Sequence, residues 1–496
     1  MKLKKLTLLS RLLCAFLLVS GLALTSCEDG PLGDGANGGE SSVLTWSLVA
    51  PSLNAATDVT EVSAVISGTV SLASGTASDL EYGFQYSASS DFSSGVTSKK
   101  VTDIDSESRF SVQISSLVPA TAYYYRSYIK MNGVYAYGEI KSFMTLQHRY
   151  EVQSDLSMSA ANNLSSSASA NCYIISNTGL YKFKTVKGNS TESVGNVASA
   201  SILWETFGTS TSPELSDLIS AFCYKDGYIA FQTADTYKEG NAVIAAKDAS
   251  GNILWSWHIW LTDEPLGQVY YNNAGTMMDR NLGATSAIPG DVGALGLLYQ
   301  WGRKDPFLSG ASIRSSTVAE STITWPSTVG SNSSNGTIEY ATAHPTTFIT
   351  PNSSNYDWYY TGSYSTDNTR WTTSDKTKSI YDPCPVGWRV PDGGSNGVWS
   401  KAKGSSSSFY HTYNSTKGGM NFSGQFGSAS TIWYPASGCR FNSDGSLDNV
   451  GSYGDYWSAS PVNDYACGLG LSNGGYVYPS DSRNRAYGRS VRCLQE

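Results

Sequence analysis

Cysteine, histidine and paired carboxylates are the residues through which a chain like this one could do chemistry, and their placement narrows the options quickly. Eight cysteines occur, yet none stands in a Cys-x-x-Cys pair, and only four histidines are present. Neither a thiol redox centre nor a His-rich zinc site is expected, so the metal and cofactor expectation is none. His258 and His344 are isolated and read as structural residues. His-Glu-x-x-His and phosphate-loop patterns are absent. The two carboxylates of a glycoside hydrolase can lie far apart in sequence, but Asp and Glu here stand mostly in turns with Gly and Asn, where local hydrogen bonding accounts for them. No catalytic residue is expected, and the chain does not read as an enzyme. Aromatic surface, by contrast, is plentiful, with 32 Tyr and 13 Trp. Near the C-terminus Trp433, Tyr434, Tyr453, Tyr456, Tyr476 and Tyr478 are interleaved with Asp455 and Arg489. Such a set can stack on a flat ligand face while its charged members fix orientation. Trp457 in the same stretch reads instead as a buried strand residue.

The compartment follows from the first residues. Lys2, Lys4, Lys5 and Arg11 precede an apolar run from Leu12 to Leu24, a secretory leader too short to span a bilayer comfortably. It ends in Leu24-Thr25-Ser26-Cys27, which resembles the bacterial lipobox. The resemblance implies a signal peptide over 1–26 and diacylation of Cys27, with outer-membrane lipid as partner. Residues 27–45 are rich in Gly, Asn and Asp and read as a flexible tether. Acidic residues directly after such a cysteine, here Glu28 and Asp29, resemble a surface-export signal of Bacteroides lipoproteins. The outer face of the outer membrane is therefore the expected site, with the periplasm as second choice. A net charge of −8, made more acidic by loss of the basic leader, repels nucleic acid. In an oxidising compartment the six remaining cysteines are disulfide candidates, with the connectivity open.

Stepping from residues to elements, charged residues make up only 15% of the chain while Gly numbers 48, a composition that favours strands over helices. The length calls for roughly three domains. Residues 46–146 show alternating strands at Val62–Val70 and Glu81–Tyr86, and an Asn132-Gly133 turn between two further strands. Leu117-Val118-Pro119-Ala120-Thr121-Ala122-Tyr123 resembles the tyrosine corner of fibronectin type III domains, which implies a spacer module. Residues 151–264 read as a second β-sandwich, with a hairpin across Asp226-Gly227. In Leu254–Leu261, Trp255, Trp257, Ile259 and Leu261 share one strand face and His258 and Trp260 the other, as a core requires. Cys172 and Cys223 are the only cysteines of this module and are paired by economy.

Residues 268–496 carry Asp279-Arg280-Asn281-Leu282-Gly283-Ala284, Leu298-Tyr299-Gln300-Trp301-Gly302-Arg303, Asp382-Pro383-Cys384-Pro385-Val386-Gly387-Trp388-Arg389-Val390-Pro391, Gly454-Asp455-Tyr456-Trp457-Ser458-Ala459-Ser460 and a closing Gly488-Arg489-Ser490-Val491-Arg492-Cys493. This set is similar to the Fibrobacter succinogenes major paralogous domain, an extracellular family that looks related to the C-type lectin-like fold. The resemblance implies nested disulfides, Cys384 with Cys493 and Cys439 with Cys467. Segment 309–374 is long, Ser/Thr/Asn-rich and poorly patterned, and is expected to be a loop-rich insertion. Asn463-Asp464-Tyr465-Ala466-Cys467 resembles the end of a lectin Trp-Asn-Asp-x-x-Cys segment, but Val462 replaces the tryptophan and no Glu-Pro-Asn triplet precedes it. A surface loop is the expected role of Asn463 and Asp464, with no calcium site. The expected fold is mainly β and multidomain, two immunoglobulin/fibronectin-like sandwiches followed by a C-type lectin-like α+β domain. The expected function is adhesion or binding of an extracellular glycan, or of a host or bacterial surface protein. The alternative is a structural or accessory subunit of a fimbrial assembly, with fimbrial subunits as partners.

Overall fold

The computed structural model describes residues 50–60, 63–69, 81–102, 104, 108–118, 121–131, 134–145, 156–352, 356–361, 369–372, 375, 377–404 and 411–496. The leader, Cys27, the tether and the Asn132-Gly133 turn lie outside them. Strands dominate, with two short α-helices among the described residues. The chain divides into two compact units, one containing Ser63–Ser115 and Ala122–Met144, the other Thr145–Glu496.

The first unit has seven strands: β1 (Ser52–Leu53), β2 (Ser63–Thr69), β3 (Glu81–Ser87), β4 (Thr97–Val101), β5 (Arg109–Ser115), β6 (Ala122–Met131) and β7 (Val134–Met144). They form a three-stranded sheet, β1-β2-β5, and a four-stranded sheet, β4-β3-β6-β7. Period-two alternation sends Ala64, Ile66, Phe84, Phe110, Ile114 and Tyr125 into the core. The rings of Phe84 and Phe110 stack at 4.7 Å. Tyr123, the corner residue, is buried against Tyr86 and Phe143. This is the fibronectin type III-like β module expected. Its outer face bears a column of rings and cations: the Arg126 guanidinium lies 4.3 Å from the Phe92 centroid and 3.8 Å from that of Tyr137. Tyr137 stacks on Tyr135 at 5.7 Å.

The second unit begins with β8 (Asn162–Asn163), β9 (Cys172–Ile175), β10 (Leu180–Lys184), β11 (Ser199–Thr206), β12 (Ile219–Lys225), β13 (Tyr228–Thr233), β14 (Gly240–Lys247) and β15 (Ile253–Leu261). Two four-stranded sheets result, β12-β13-β10-β8 and β11-β14-β15-β9. Trp255, Trp257, Ile259 and Leu261 fill the core between them. The second sheet is covered on its other face as well. Trp204, Val243, Trp260 and Cys172 join one cluster with Met278, Leu282, Trp301, Trp457 and Val491. Burial on both faces explains why Ala242–Ala246 is a continuous apolar run. Polar ties reinforce the contact: Trp260 Nε1 donates to Ala284 O at 3.0 Å, Asn241 Nδ2 to Gly283 O at 2.9 Å, and Asn171 Nδ2 to Ile380 O at 2.8 Å. The intervals 151–264 and 268–496 thus share a core within one unit.

Around that layer wrap β16 (Gly267–Tyr270), β17 (Gly275–Met278), β18 (Leu298–Gln300), β19 (Val329–Gly330), α1 (Ile338–Ala343), β20 (Ile349–Thr350), β21 (Trp388–Arg389), α2 (Val398–Lys403), β22 (Tyr413–Asn414), β23 (Gly419–Asn421), β24 (Trp433–Pro435), β25 (Cys439–Arg440), β26 (Leu447–Asp448), β27 (Tyr453–Val462), β28 (Tyr465–Ser472), β29 (Val477–Asn484), β30 (Gly488–Ser490) and β31 (Leu494–Gln495). The main sheet runs β26-β25-β30-β27-β28-β29, with β18 also pairing β30. The described part of 309–374 is mostly irregular but not superficial, because Asp357, Trp358, Arg370 and Trp371 are buried. Asp357 pairs with both Arg370 and Arg485.

Cys384 and Cys493 form a disulfide across 109 residues. Its loop is held by Asp382, whose carboxylate accepts from Cys384 N at 2.8 Å and Val390 N at 2.9 Å. The other two expected pairings are corrected: Cys172, Cys223, Cys439 and Cys467 are buried thiols. Cys439 on β25 and Cys467 on β28 are at least two strand spacings apart, about 10 Å, beyond the roughly 7 Å that a disulfide spans between Cα atoms. Cys172 and Cys223 lie on opposing sheets, and Cys172 faces away from the core the two sheets share.

Candidate functional site

The antiparallel strands β27, β28 and β29 place the C-terminal aromatics. Pairing aligns Gly454 with Leu471 and Val477, and Tyr456 with Leu469. These residues except Gly454 belong to the buried cluster beneath the sheet. The opposite face carries Tyr453 across from Ser472, and Asp455 across from Gly470, which in turn faces Tyr478. Tyr453, Tyr476 and Tyr478 are 46%, 45% and 54% exposed. Tyr476, directly before β29, and Tyr478 within it hold their rings 6.3 Å apart at 6°. The β28 residues facing Tyr453 and Tyr478 across the ladder, Ser472 and Gly470, are small. Gly470 is small for a reason: a Cβ there would meet the Asp481 carboxylate at 3.3 Å.

Under this face the charges neutralise one another. Arg489 Nη2 lies 3.0 Å from Asp455 and 3.4 Å from Asp481, Arg483 Nη1 lies 3.3 Å from Asp481, and the Arg489 guanidinium sits 4.8 Å from the Trp457 ring centroid. Burial pushes the Asp455 carboxyl up while Arg489 pulls it down. Asp455 and Arg489, expected as ligand contacts, are therefore internal. So are Trp433, Tyr434 and Tyr456. Tyr434 shares its hydroxyl with Tyr270 at 2.8 Å and accepts from Trp399 Nε1 at 2.9 Å. The Tyr456 hydroxyl donates to Pro435 O. Of the eight expected contact residues, the structure leaves Tyr453, Tyr476 and Tyr478 at the surface. Asn463 occupies the β27–β28 turn with φ of 49°, and its carbonyl accepts from Arg485 Nη2 at 2.8 Å. No group of three or more His, Cys, Asp or Glu that could hold a metal ion occurs among the described residues.

Sequence reasoning missed a cavity of about 390 Å³ lined by His411, Thr412, Tyr413, Asn414, Ser415, Asn421 and Trp433. It adjoins the tyrosine row through the backbone. His411 N donates to Gly475 O at 3.0 Å, one residue before Tyr476, and the Tyr413 hydroxyl donates to Gly451 O, two residues before Tyr453. Ser, Thr and Asn on short strands and turns look like any loop, so only the adjacent Trp433-Tyr434 pair was a signal. A second cavity of about 430 Å³ is lined by Arg370, Lys378 and Tyr381 among others. Its cations are committed, Lys378 to the Cys384 and Pro385 carbonyls at 2.8 Å and Arg370 to Asp357.

No family model and no curated protein matches the chain. Solved structures similar to it include the sensor domain of the anti-sigma factor RsgI4 of Pseudobacteroides cellulosolvens, in a short form with 24% identity over 20% of this chain and 98% of that one, at a TM-score of 0.17. The fibronectin type-III domain of human fibronectin type III domain containing protein 3 is also similar, with 14% identity over 21% of this chain and 93% of that one, at a TM-score of 0.16. Each covers about a fifth of this chain.

Proposed function

We propose that this chain is a lipid-anchored cell-surface protein that binds glycan or adheres through the C-terminal part of its second unit, read as a C-type lectin-like head. The observation that carries the proposal is the row of exposed Tyr453, Tyr476 and Tyr478 beside the charge-balanced cluster of Asp455 and Asp481 with Arg489 and Arg483. Flat aromatic faces with small residues between them suit the apolar side of a sugar ring, and phenolic hydroxyls suit its polar rim. An acylated Cys27 would hold the molecule at the outer membrane, and no step of catalysis is assigned to it.

A glycan array probed with the full chain, with and without a chelator, tests the reading. Binding to a defined sugar class that survives chelation, and that weakens at least tenfold in a Tyr476→Ala/Tyr478→Ala double variant, supports it. Absence of sugar binding together with co-purifying fimbrial subunits would refute it.

That second outcome corresponds to an assembly reading, which the edge strand β7 favours. Tyr135, Tyr137, Ile140 and Met144 are 41%, 42%, 50% and 64% exposed along an eleven-residue strand. In its sheet β7 is the terminal strand, and a long apolar edge is a template for pairing with another chain.

A further inference from the structure

The cavity beside the tyrosine row carries a step that rests on the glycan-binding reading. Its lining is indole, imidazole, phenol, hydroxyl and carboxamide, without one charged side chain. Trp433 forms part of it and is held from behind. A Cβ on Gly419 would lie 2.7 Å from the Trp433 ring, so the indole occupies the space that a side chain at 419 would fill. The Trp433 carbonyl accepts from Arg492 Nη2 at 2.7 Å. Yet Trp433 Nε1 is buried and has no hydrogen-bond partner. A desolvated donor left unmatched is costly, and an entering ligand oxygen is the group that would match it. The Asn421 side-chain oxygen is already used by Ser423 N at 3.1 Å and Ile432 N at 2.8 Å, which leaves its amide hydrogens as donors. The volume of about 390 Å³ lies at the small end of the roughly 300–1,000 Å³ usual for ligand pockets.

We infer that this pocket seats one uncharged, hexose-sized sugar unit against Trp433, as the end of a glycan whose next units lie on Tyr476 and Tyr478. The two hydrogen bonds joining His411 to Gly475 and Tyr413 to Gly451 make pocket and row one continuous support. Neutrality follows from the lining. A carboxylate or sulfate would enter a site with no cation to meet it, on a chain of net charge −8.

The test uses the full chain, a neutral oligosaccharide drawn from the array and its counterpart ending in a uronic acid, with affinities read by titration calorimetry. Wild type should prefer the neutral ligand at least tenfold. Ser415→Trp, placed on an exposed turn at the pocket mouth, should weaken the neutral ligand about tenfold and abolish the preference. Ser250→Trp, in a remote turn, should not. Trp433→Phe keeps an aromatic ring but removes the N–H together with the indole's second ring, and should weaken the neutral ligand by a similar factor while lowering the melting temperature. If Ser415→Trp binds like wild type while Tyr476→Ala/Tyr478→Ala does not, the pocket assignment falls and the tyrosine row stands. If wild type favours the acidic ligand, the inference is overturned outright. If no glycan binds at all, the functional reading falls with it.

Discussion

Acidification probes the layer on which the second unit is built. His258 lies in β15 at 2% exposure, with Nε2 2.9 Å from Asn241 Oδ1 and Nδ1 without a partner. Burial holds its pKa down to about 3, against 6.5 for the free group. The unfolded chain therefore takes up the proton first. Stability present above pH 6.5 is lost as pH falls, by about 1.4 kcal/mol per unit. From pH 6 to pH 4 this amounts to roughly 3 kcal/mol. Asp382 acts in the opposite sense. Burial pushes its carboxyl up to about 6 from 3.8, so the folded state binds that proton first and gains stability as pH falls through 6 toward 4, again by about 3 kcal/mol in all. The two slopes offset each other between pH 4 and 6. Urea unfolding followed by tryptophan emission reads the effect, because every tryptophan except Trp46 lies in the second unit. In His258→Gln, stability relative to wild type should rise steadily as pH is lowered from 6 to 4. In Asp382→Asn it should fall over the same window. Curves for His258→Gln that run parallel to wild type from pH 7 to pH 4 would refute the burial argument.

Other outcomes follow from the same packing. Cys384→Ser/Cys493→Ser should lose about 3–5 kcal/mol, since the bond closes a loop of 109 residues; an unchanged urea midpoint would show that the disulfide contributes little. Trp260→Ala should cost about 3–5 kcal/mol and leave tryptophan-monitored unfolding as one transition, because Trp260 joins the strands of 151–264 to Trp301 and Trp457. Two separated transitions would show that these intervals fold independently. Asp357→Asn removes the shared partner of Arg370 and Arg485, both buried, and should lower stability by about 3–5 kcal/mol as read by the urea midpoint.

How much of this was legible depends on whether a pattern has one buried face or two. The alternation in β2 and β3 announced a half-buried sheet, and β15 announced its two faces, with Trp255 and Trp257 separated from Trp260. What no alternation reveals is a sheet covered on both sides, because then neither face is polar. That ambiguity concealed the shared core around Trp260. It also concealed the burial of Trp433 and Tyr434, which point to opposite faces of β24 and are both enclosed. Arginine misleads in the same way: Arg489, expected to contact a ligand, is buried over Trp457, as Arg485 is over Trp301 and Arg492 over Tyr434.

Cysteine pairing shows where spacing stops being informative. The Cys384–Cys493 bond joins two segments brought together by antiparallel pairing of β21 with β31, where Arg389 faces Leu494. Cys439 and Cys467 have equally suitable spacing in the sequence. They fail to meet because β27 and β30 are inserted between their strands, an order that chain sequence does not encode locally. The same insertion brings Asp455 on β27 beside Arg489 on β30 and so neutralises the floor beneath the tyrosines. One sheet order thus removes the expected inner disulfide and leaves Tyr453, Tyr476 and Tyr478 as the uncharged aromatic surface on which binding is argued.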